Sequence, residues 1–244
     1  MSGSKAFEVA FSVDVVLLSL VDGELHVALM PRGTGSAEPY PGVLALPGGT
    51  VDRDGDADTD VTVRRVLLQR CGIAAAPYFE QLRLFAGRER DPRGWSASMA
   101  HVSLVSPELL AGAAPGLRWV PVSQARGLAF DHDEMVREAV ARVSNKATYS
   151  TLPLHLMPAE FTMAELQAVY ESILGGAIED RRTFRRIMLS TGVVEATLRK
   201  RLSGKVGKPG ELYRVVPRHG VVLLPGPLAR YVTPRTGVET GGGE

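Results

Sequence analysis

Short apolar runs separated by turn residues dominate the first half of the chain, a pattern typical of β-strands. Residues 7–20 (FEVAFSVDVVLLSL) are rich in β-branched and aromatic side chains and predict a buried strand. Asp22-Gly23 is a two-residue hairpin signal, which makes residues 25–32 the partner strand. The same pattern predicts strands at residues 44–46, 79–85, 96–105 and 117–122. The strand at residues 44–46 is predicted to lead into a turn at Gly48-Gly49.

Two segments of the first half follow a helical period instead. A helix is predicted from Thr59 to Cys71, with Gly72 as its C-terminal stop. Its apolar positions share one face, namely Val63, Val66, Leu67 and Cys71. A second helix is predicted over residues 131–143. Strands that enclose one helix and end on another indicate a domain of mixed α and β structure.

The second half predicts two helices followed by a β-hairpin. Thr162 and Glu165 form a capping box that begins the first helix. Asp180 caps the second, residues 181–190, and a basic, glycine-rich hairpin follows at residues 199–210. This order of elements is typical of a winged helix-turn-helix.

We therefore predict an α+β protein with two domains and a tail. The first domain spans residues 1–150, and the winged helix-turn-helix spans residues 151–232. Residues 233–244 are rich in Gly and Thr and predict a flexible tail.

Charge is distributed unevenly, although the formal net charge of the 244 residues is only +1. Residues 181–218 hold 11 basic side chains, against only Glu195 and Glu211. A basic zone of this density is typical of a surface that binds a polyanion. The alternative is a basic surface that serves only solubility.

Cellular location is constrained by what the sequence lacks. Cys71 is the single cysteine, which excludes an intrachain disulfide and fits a reducing cytoplasm. No apolar run approaches the ~20 residues of a membrane helix, and the N-terminus has no apolar signal-peptide core. We expect a cytoplasmic protein with no membrane partner.

Residues 46–73 (LPGGTVDRDGDADTDVTVRRVLLQRCGI) resemble a Nudix box, whose pattern is G-x5-E-x7-R-E-U-x-E-E-x-G-U with U aliphatic. Four positions match the end of the pattern: Arg65, Leu67, Gly72 and Ile73. The three helix glutamates are replaced by Val66, Gln69 and Arg70. Residues at i, i+3 and i+4 share a helix face, so three carboxylates there would converge on Mg2+. We therefore expect no metal site, no catalytic residues and no Nudix hydrolysis.

Two alternatives stay open at this point. One is a divergent Nudix hydrolase acting on a nucleoside diphosphate-linked substrate, with Asp56, Asp58 or Glu89 holding the metal. The other is an interaction module whose pocket is empty. The losses at Val66, Gln69 and Arg70 argue against the hydrolase, and the basic zone argues against both.

Further motifs give the chain a resemblance to the NrtR family, the Nudix-related transcriptional regulators of NAD metabolism. The resemblance rests on the order of these motifs along one chain, namely DPRG (91–94), RWVPV (118–122), LAFDH (128–132), the helix pair at 157–175 and 180–194, and GKPGELYRV (207–215). The resemblance implies a Nudix-like α/β/α sandwich with a mixed sheet, followed by the winged helix-turn-helix.

The resemblance also implies a function, that of a ligand-gated repressor of NAD-related metabolism. Its effector would be ADP-ribose or a related nucleotide, bound but not cut, and no cofactor is needed. Its DNA partner would be a double-stranded, partly palindromic operator bound by a homodimer, since two-fold protein symmetry is mirrored in the DNA. The operator and the direction of the effector's action stay open.

Candidate site residues follow from the resemblance and from side-chain chemistry. Arginine forks match phosphate oxygens, glycines allow close backbone approach, and an aromatic ring can stack on a base. The ligand-binding candidates are Arg32, Gly48, Gly49, Arg65, Arg88, Arg93 and Phe130. The DNA-binding candidates are Arg181, Arg182, Thr183, Arg185 and Arg186 on the second helix of the pair, and Lys205 and Lys208 on the wing. Asp131 and His132 are assigned to a helix start, without a catalytic role.

Overall fold

The computed structural model describes residues 9–35, 38–74, 78–201, 209–216 and 221–234. Contacts between Cα atoms divide the chain into two units. The first comprises residues 1–21 and 25–140, and the second comprises residues 22–24 and 141–244. Among the described residues, none of the helices has the length and apolar character needed to span a membrane.

The first unit is built on a mixed sheet of seven strands with the order β3-β2-β1-β6-β5, where β4 pairs with β1 and β7 pairs with β2. The central strands β1 and β6 are parallel, while β6 pairs antiparallel with β5. The strands are β1 (Ala10–Val21), β2 (Glu24–Pro31), β3 (Leu44–Ala45), β4 (Gly48–Thr50), β5 (Tyr78–Gly87), β6 (Ser96–Leu104) and β7 (Arg118–Pro121). The helices of this half are α1 (Thr59–Cys71) and α2 (His132–Ala147), and α2 continues into the second unit.

Helix α1 begins and ends where local chemistry predicts. The Asp58 side chain accepts a hydrogen bond from the backbone N–H of Val61, and Gly72 adopts φ 72° at the C-terminus. The predicted apolar face is buried, and it packs in one core cluster with Val13, Val15 and Leu17 of β1. Each fully buried aliphatic side chain of this kind contributes about 1.5–3 kcal/mol.

One local prediction in the first unit is wrong. Gly48 and Gly49 do not form a turn but belong to β4, where they pair with Asp14 and Val13 of β1. A Cβ on Gly48 would lie 2.1 Å from Oδ1 of Asp14, so only glycine permits this pairing. The residue that signals a turn in sequence serves here for close approach between strands.

Besides the end of α2, the described residues of the second unit form two short sheets and two helices. The strands are β8 (Phe161–Thr162), β9 (Gly176–Ile178), β10 (Val194–Arg201), β11 (Gly210–Val215) and β12 (Val232–Pro234), and the helices are α3 (Met163–Leu174) and α4 (Arg181–Ser190). One sheet has the order β10-β11-β8, and the other pairs β12 with β9. The capping box of Thr162 and Glu165 is present, so the predicted start of α3 is confirmed.

The start of the predicted tail needs correction. Val232, Thr233 and Pro234 form β12 and pair with residues 176–178 of β9. Gly176 makes this close pairing possible, since a Cβ there would lie 2.4 Å from a methyl carbon of Val232. The rest of the predicted tail, residues 235–244, lies outside the described residues.

Candidate functional site

A cavity of about 450 Å³ opens in the first unit beside β4. It collects side chains from β1, the end of β2, the C-terminal turn of α1, and the segments 90–93 and 130–132. Five of the predicted ligand residues line it, namely Arg32, Gly48, Gly49, Arg93 and Phe130. The structure thus brings residues that are far apart in sequence to one polar cavity.

The other two predicted ligand residues lie elsewhere. Arg65 lines a smaller neighbouring cavity of about 280 Å³, which shares Gly48, Gly49 and Arg70 with the first. Arg88 is exposed and lines neither cavity. Arg88 directly follows the end of β5 at Gly87, and the arginine of this segment that reaches the cavity is Arg90, two residues further on.

A buried polar network, which sequence reasoning missed, forms part of the cavity wall. Ser98 donates a hydrogen bond of 2.6 Å to Oδ2 of Asp14, and Nη2 of Arg90 lies 3.7 Å from the same oxygen. Arg90 also makes two hydrogen bonds of 3.0 Å to the Asp131 carboxylate. His132 Nδ1 accepts from a backbone N–H, which turns Nε2 toward Asp14 Oδ1 at 3.7 Å.

The balance of these contacts keeps Asp14 ionised. Burial raises the pKa of this carboxyl. The charge and hydrogen bond of His132, the Ser98 hydroxyl and the Arg90 guanidinium together lower it by more, so the net pKa lies below its usual value. One signal for this network was present in the sequence, since Asp14 is a carboxylate inside an otherwise apolar strand. A carboxylate in such a strand must find partners or take up a proton.

Two of the predicted phosphate ligands are already held by carboxylates. Arg93 contacts Asp91 through Nε at 3.0 Å and Nη2 at 2.7 Å, and this pairing lowers the pKa of Asp91. Arg32 contacts Glu38 at 2.5 Å, and its guanidinium lies 4.7 Å from the centre of the Phe130 ring. These side chains line the cavity with much of their charge compensated.

Arg65 is held even more firmly. Its Nε and Nη2 contact the Asp56 carboxylate at 3.0 and 2.5 Å, and Nη2 also donates to the backbone oxygen of Thr50. The hydrogen bond from Arg65 is the largest cause that lowers the pKa of Asp56. This pair ties the acidic loop to α1, so Arg65 has a structural role in the absence of any ligand.

The α1 positions that hold metal in the Nudix pattern do not fit a divalent cation. Val66 is buried, Gln69 is neutral and Arg70 is positive. Of the alternative carboxylates, Asp56 pairs with Arg65 and Asp58 caps α1. In the part of the chain that the structure describes, no group of three His, Cys, Asp or Glu side chains could hold a metal ion.

Helix α4 forms a second candidate site, in the second unit. Its inner face is apolar, with Phe184, Ile187 and Met188 buried, and Phe184 packs edge-on against Tyr170 of α3. All four of its arginines are exposed, namely Arg181, Arg182, Arg185 and Arg186. The Asp180 side chain caps the helix by accepting from the backbone N–H of Thr183, which is half-buried.

The arginines of α4 differ in their partners. Arg185 contacts Glu211 of β11 at 3.1 Å and lies over the Tyr213 ring at 5.4 Å. Arg181, Arg182 and Arg186 form no ion pair with any residue that the structure describes. The predicted wing contacts Lys205 and Lys208 lie outside the described residues.

Next to α4, strand β10 carries further basic side chains on the wing. Arg199 pairs with Glu160, and Arg201 pairs with Glu165 at the start of α3. Between the pairing registers of Ala196 and Lys200 the strand is irregular, and Leu198 there has φ 62° and 93% exposure. Glu160 and Glu165 therefore compensate part of the basic zone, while Arg181, Arg182 and Arg186 of α4 form no ion pair with a described residue.

Comparison with known proteins agrees with both halves of this description. The family model of the NrtR DNA-binding winged helix domain matches residues 153–215. The ADPR responsive transcriptional repressor NtrR of Acinetobacter baylyi is 38% identical over 208 residues, which cover 83% of this chain and 80% of the relative.

Solved structures extend the similarity to three dimensions. The crystal structure of Shewanella oneidensis NrtR complexed with a 27mer DNA has a TM-score of 0.77 and 32% identity, covering 91% of this chain and 96% of that one. The NUDIX domain of the same protein complexed with ADP ribose has a TM-score of 0.50 and 30% identity, covering 58% and 93%. The predicted fold, a Nudix-like domain followed by a winged helix domain, is confirmed, and this chain belongs to the NrtR family.

Proposed function

We propose that this protein is a transcriptional repressor whose winged helix domain binds DNA and whose Nudix-like domain binds ADP-ribose or a related nucleotide as an effector. The observation that carries this proposal is the exposed row of arginines on α4, within a domain that matches a DNA-binding family. The similarity to a repressor named as ADPR responsive supports the effector class. No cofactor is required.

Helix α4 has the composition of a recognition helix. Its buried face anchors it to α3, and its exposed arginines have the donor geometry for guanine edges and for phosphate oxygens. Three of them have no ion pair with a described residue, so binding to DNA would not first require breaking one. To contact a DNA phosphate, Arg185 would have to break its ion pair with Glu211 or bind the phosphate while it keeps that pair.

A homodimer on a partly palindromic operator is part of the proposal. One winged helix contacts only a short sequence, and a two-fold dimer places two such helices on half-sites about one DNA turn apart. A monomeric mass at micromolar concentration, together with one-to-one binding to a half-site, would contradict it.

The cavity of the first unit is the proposed effector site. Its volume of about 450 Å³ lies within the usual range for small-molecule sites, roughly 300–1,000 Å³. Four arginines line it together with Phe130, an aromatic ring that could stack on a base. These features suit a ligand in which a diphosphate is joined to a group that carries an aromatic ring.

We propose further that the site binds the nucleotide without hydrolysing it. Hydrolysis in the Nudix pattern needs carboxylates that hold a metal ion and activate water. Here the three helix positions are Val66, Gln69 and Arg70, while Asp56 and Asp58 are engaged in other contacts. Incubation of the purified protein with ADP-ribose and Mg2+ should release no AMP above the blank.

Two binding measurements test the proposal. A duplex selected by the protein from a random pool should bind with a specific affinity at least about 10³ times that for a scrambled duplex. ADP-ribose at about 100 times its Kd should add ~2.7 kcal/mol to the unfolding free energy, measured by thermal shift. Failure to select any sequence would contradict the DNA-binding role, and rapid AMP release would favour the hydrolase.

A further inference from the structure

Most arginines of the effector cavity already have a carboxylate partner. Four arginines and three carboxylates line the cavity. Arg32 is paired with Glu38, Arg93 with Asp91, and Arg90 with Asp131. Their charges are therefore largely compensated before any ligand arrives. A phosphate must either share these arginines with their carboxylates or bind to a group that has no such partner.

Arg70 is the cavity arginine that lacks such a partner. It forms no ion pair or hydrogen bond with a residue that the structure describes, and its side chain is exposed. It lies in the last turn of α1 and lines both cavities, next to Gly48 and Gly49. Arg70 is therefore the cavity arginine whose charge is not held by a carboxylate of the described residues.

The same residue stands where the Nudix pattern has a metal-binding glutamate. A guanidinium there repels a divalent cation, and neither Val66 nor the neutral Gln69 attracts one. In the Nudix pattern the metal neutralises the diphosphate. In this chain the Arg70 guanidinium therefore places a positive charge where the Nudix pattern has a bound metal ion.

We propose that Arg70 binds the diphosphate of the effector directly, so that this site takes a nucleoside diphosphate compound without a divalent cation. The proposal rests on the proposed effector role and names the residue and charge that carry it. The guanidinium fork matches two phosphate oxygens, and the glycines of β4 let the ligand approach the backbone. Selectivity for diphosphates over uncharged nucleosides follows from the same contact.

Calorimetric titration of ADP-ribose, ADP and inorganic pyrophosphate tests this, with each ligand run once in EDTA and once in Mg2+. We expect ADP-ribose to bind the wild-type protein with the same Kd, within about twofold, in both buffers. Arg70→Gln should weaken that binding in EDTA by about tenfold or more, which is the usual effect of losing a charged hydrogen bond. The Kd of the Arg70→Lys variant for ADP-ribose should lie between those of the wild type and Arg70→Gln, because lysine keeps the charge but lacks the guanidinium fork.

Arg64→Gln is the matched control, since it removes one positive charge from the same helix and lines neither cavity. It should leave the Kd unchanged, and thermal unfolding should confirm that all variants are folded. Because Arg70 is exposed, its replacement should not unfold the domain.

The outcomes separate this inference from the proposed function. Binding of ADP-ribose only in Mg2+, or an Arg70→Gln variant with wild-type affinity in EDTA, overturns the inference and leaves the effector role intact. Arg70-dependent binding of ADP or pyrophosphate without ADP-ribose binding supports the inference and contradicts the proposed effector. No binding of any of the three ligands in either buffer contradicts both.

Discussion

The arginines of the effector cavity and those of helix α4 are alike in chemistry and opposite in their surroundings. Arg32, Arg90 and Arg93 of the cavity each contact a carboxylate within 3.0 Å. Arg182 and Arg186 of α4, with Arg181, are exposed and form no ion pair with a described residue. The first set is held in place by the protein, whereas the second set is available to a partner.

This difference indicates two uses of the same side chain. A paired, partly buried arginine fixes the geometry of a wall, because its fork is oriented before a ligand arrives. An exposed, unpaired arginine contributes little to stability and can release counterions when it meets DNA phosphates. Arg70 lines the cavity, but like the second set it forms no ion pair with a described residue.

The largest predicted effect on stability comes from breaking a paired arginine of the cavity. Asp131→Asn removes the negative charge opposite Arg90, whose side chain is only 8% exposed. Asp14 still lies 3.7 Å from Arg90, so the variant loses charged hydrogen bonds rather than all compensation, and the unfolding free energy should fall by about 1.5–3 kcal/mol, measured by urea denaturation. The matched control is Glu138→Gln, which removes a charge from an exposed pair with Arg83 and should cost less than about 1 kcal/mol. Equal losses of unfolding free energy in the two variants would show that an ion pair in the cavity wall contributes no more to stability than an exposed one.

Removing unpaired arginines from α4 should affect DNA binding rather than folding. Arg182→Ala combined with Arg186→Ala should weaken specific DNA binding by about 1–3 kcal/mol for each arginine that touches a base edge. For each arginine that touches a phosphate, the log–log salt slope should fall by about 0.9, measured by anisotropy across a salt titration. The Kd for ADP-ribose and the melting temperature should not change. Wild-type DNA affinity at every salt concentration would contradict the assignment of α4.

The contrast between paired and unpaired groups extends to two buried histidines. His132 Nδ1 accepts a hydrogen bond, whereas Nε2 of His101 has no hydrogen-bond partner among the described residues, and Asp60 lies 3.8 Å away. Burial lowers the pKa of His101, outweighing the opposite effects of the Met99 carbonyl and Asp60. The unfolded chain therefore binds this proton more readily, and stability should be full above about pH 6.5 and decline as the pH falls toward the folded pKa.

His101→Phe should reduce that acid-induced loss. The comparison is the unfolding free energy at pH 7.5 and pH 5, for the wild type and for the variant. His155 also has a pKa lowered by burial, so part of the loss should remain in the variant. An identical decline in both proteins would mean that His101 does not contribute.

The smallest predicted effect concerns the wing. Leu198 has φ 62°, a conformation that costs an L-residue about 1–2 kcal/mol, and its side chain is 93% exposed. Leu198→Gly should therefore leave stability unchanged or raise it by up to ~1 kcal/mol. Ala196→Gly, at an exposed position of the same strand without positive φ, should lower it by about 0.5–1 kcal/mol. A larger loss at Leu198 than at Ala196 would contradict the assigned strain.

Sequence reasoning succeeded where structure is set locally. The capping box at Thr162, the glycine stop at Gly72 and the strands of the first unit other than β4 follow from neighbouring residues. It also identified five residues that line the cavity. These cases depend on periodicity and caps, which a single sequence displays.

It failed where contacts join distant segments. Arg90 and Asp131 are 41 residues apart, so their ion pair has no local signal, and the sequence pattern favours Arg88 no less than Arg90. In the sequence Arg70 stands out only as a missing carboxylate, because its position beside both cavities depends on how α1 packs against β4. Which arginine is already paired is a property of the folded chain, and the sequence does not display it.

An effector acts only if ligand binding and DNA binding are coupled, and one titration tests this coupling most directly. The Kd for the selected duplex should be measured by anisotropy without ADP-ribose and with saturating ADP-ribose, in EDTA. We predict a change of about 5–150-fold, corresponding to a coupling of about 1–3 kcal/mol, with the same factor when DNA is saturating and ADP-ribose is titrated. An unchanged Kd for DNA, with ADP-ribose bound at full occupancy, would contradict the account.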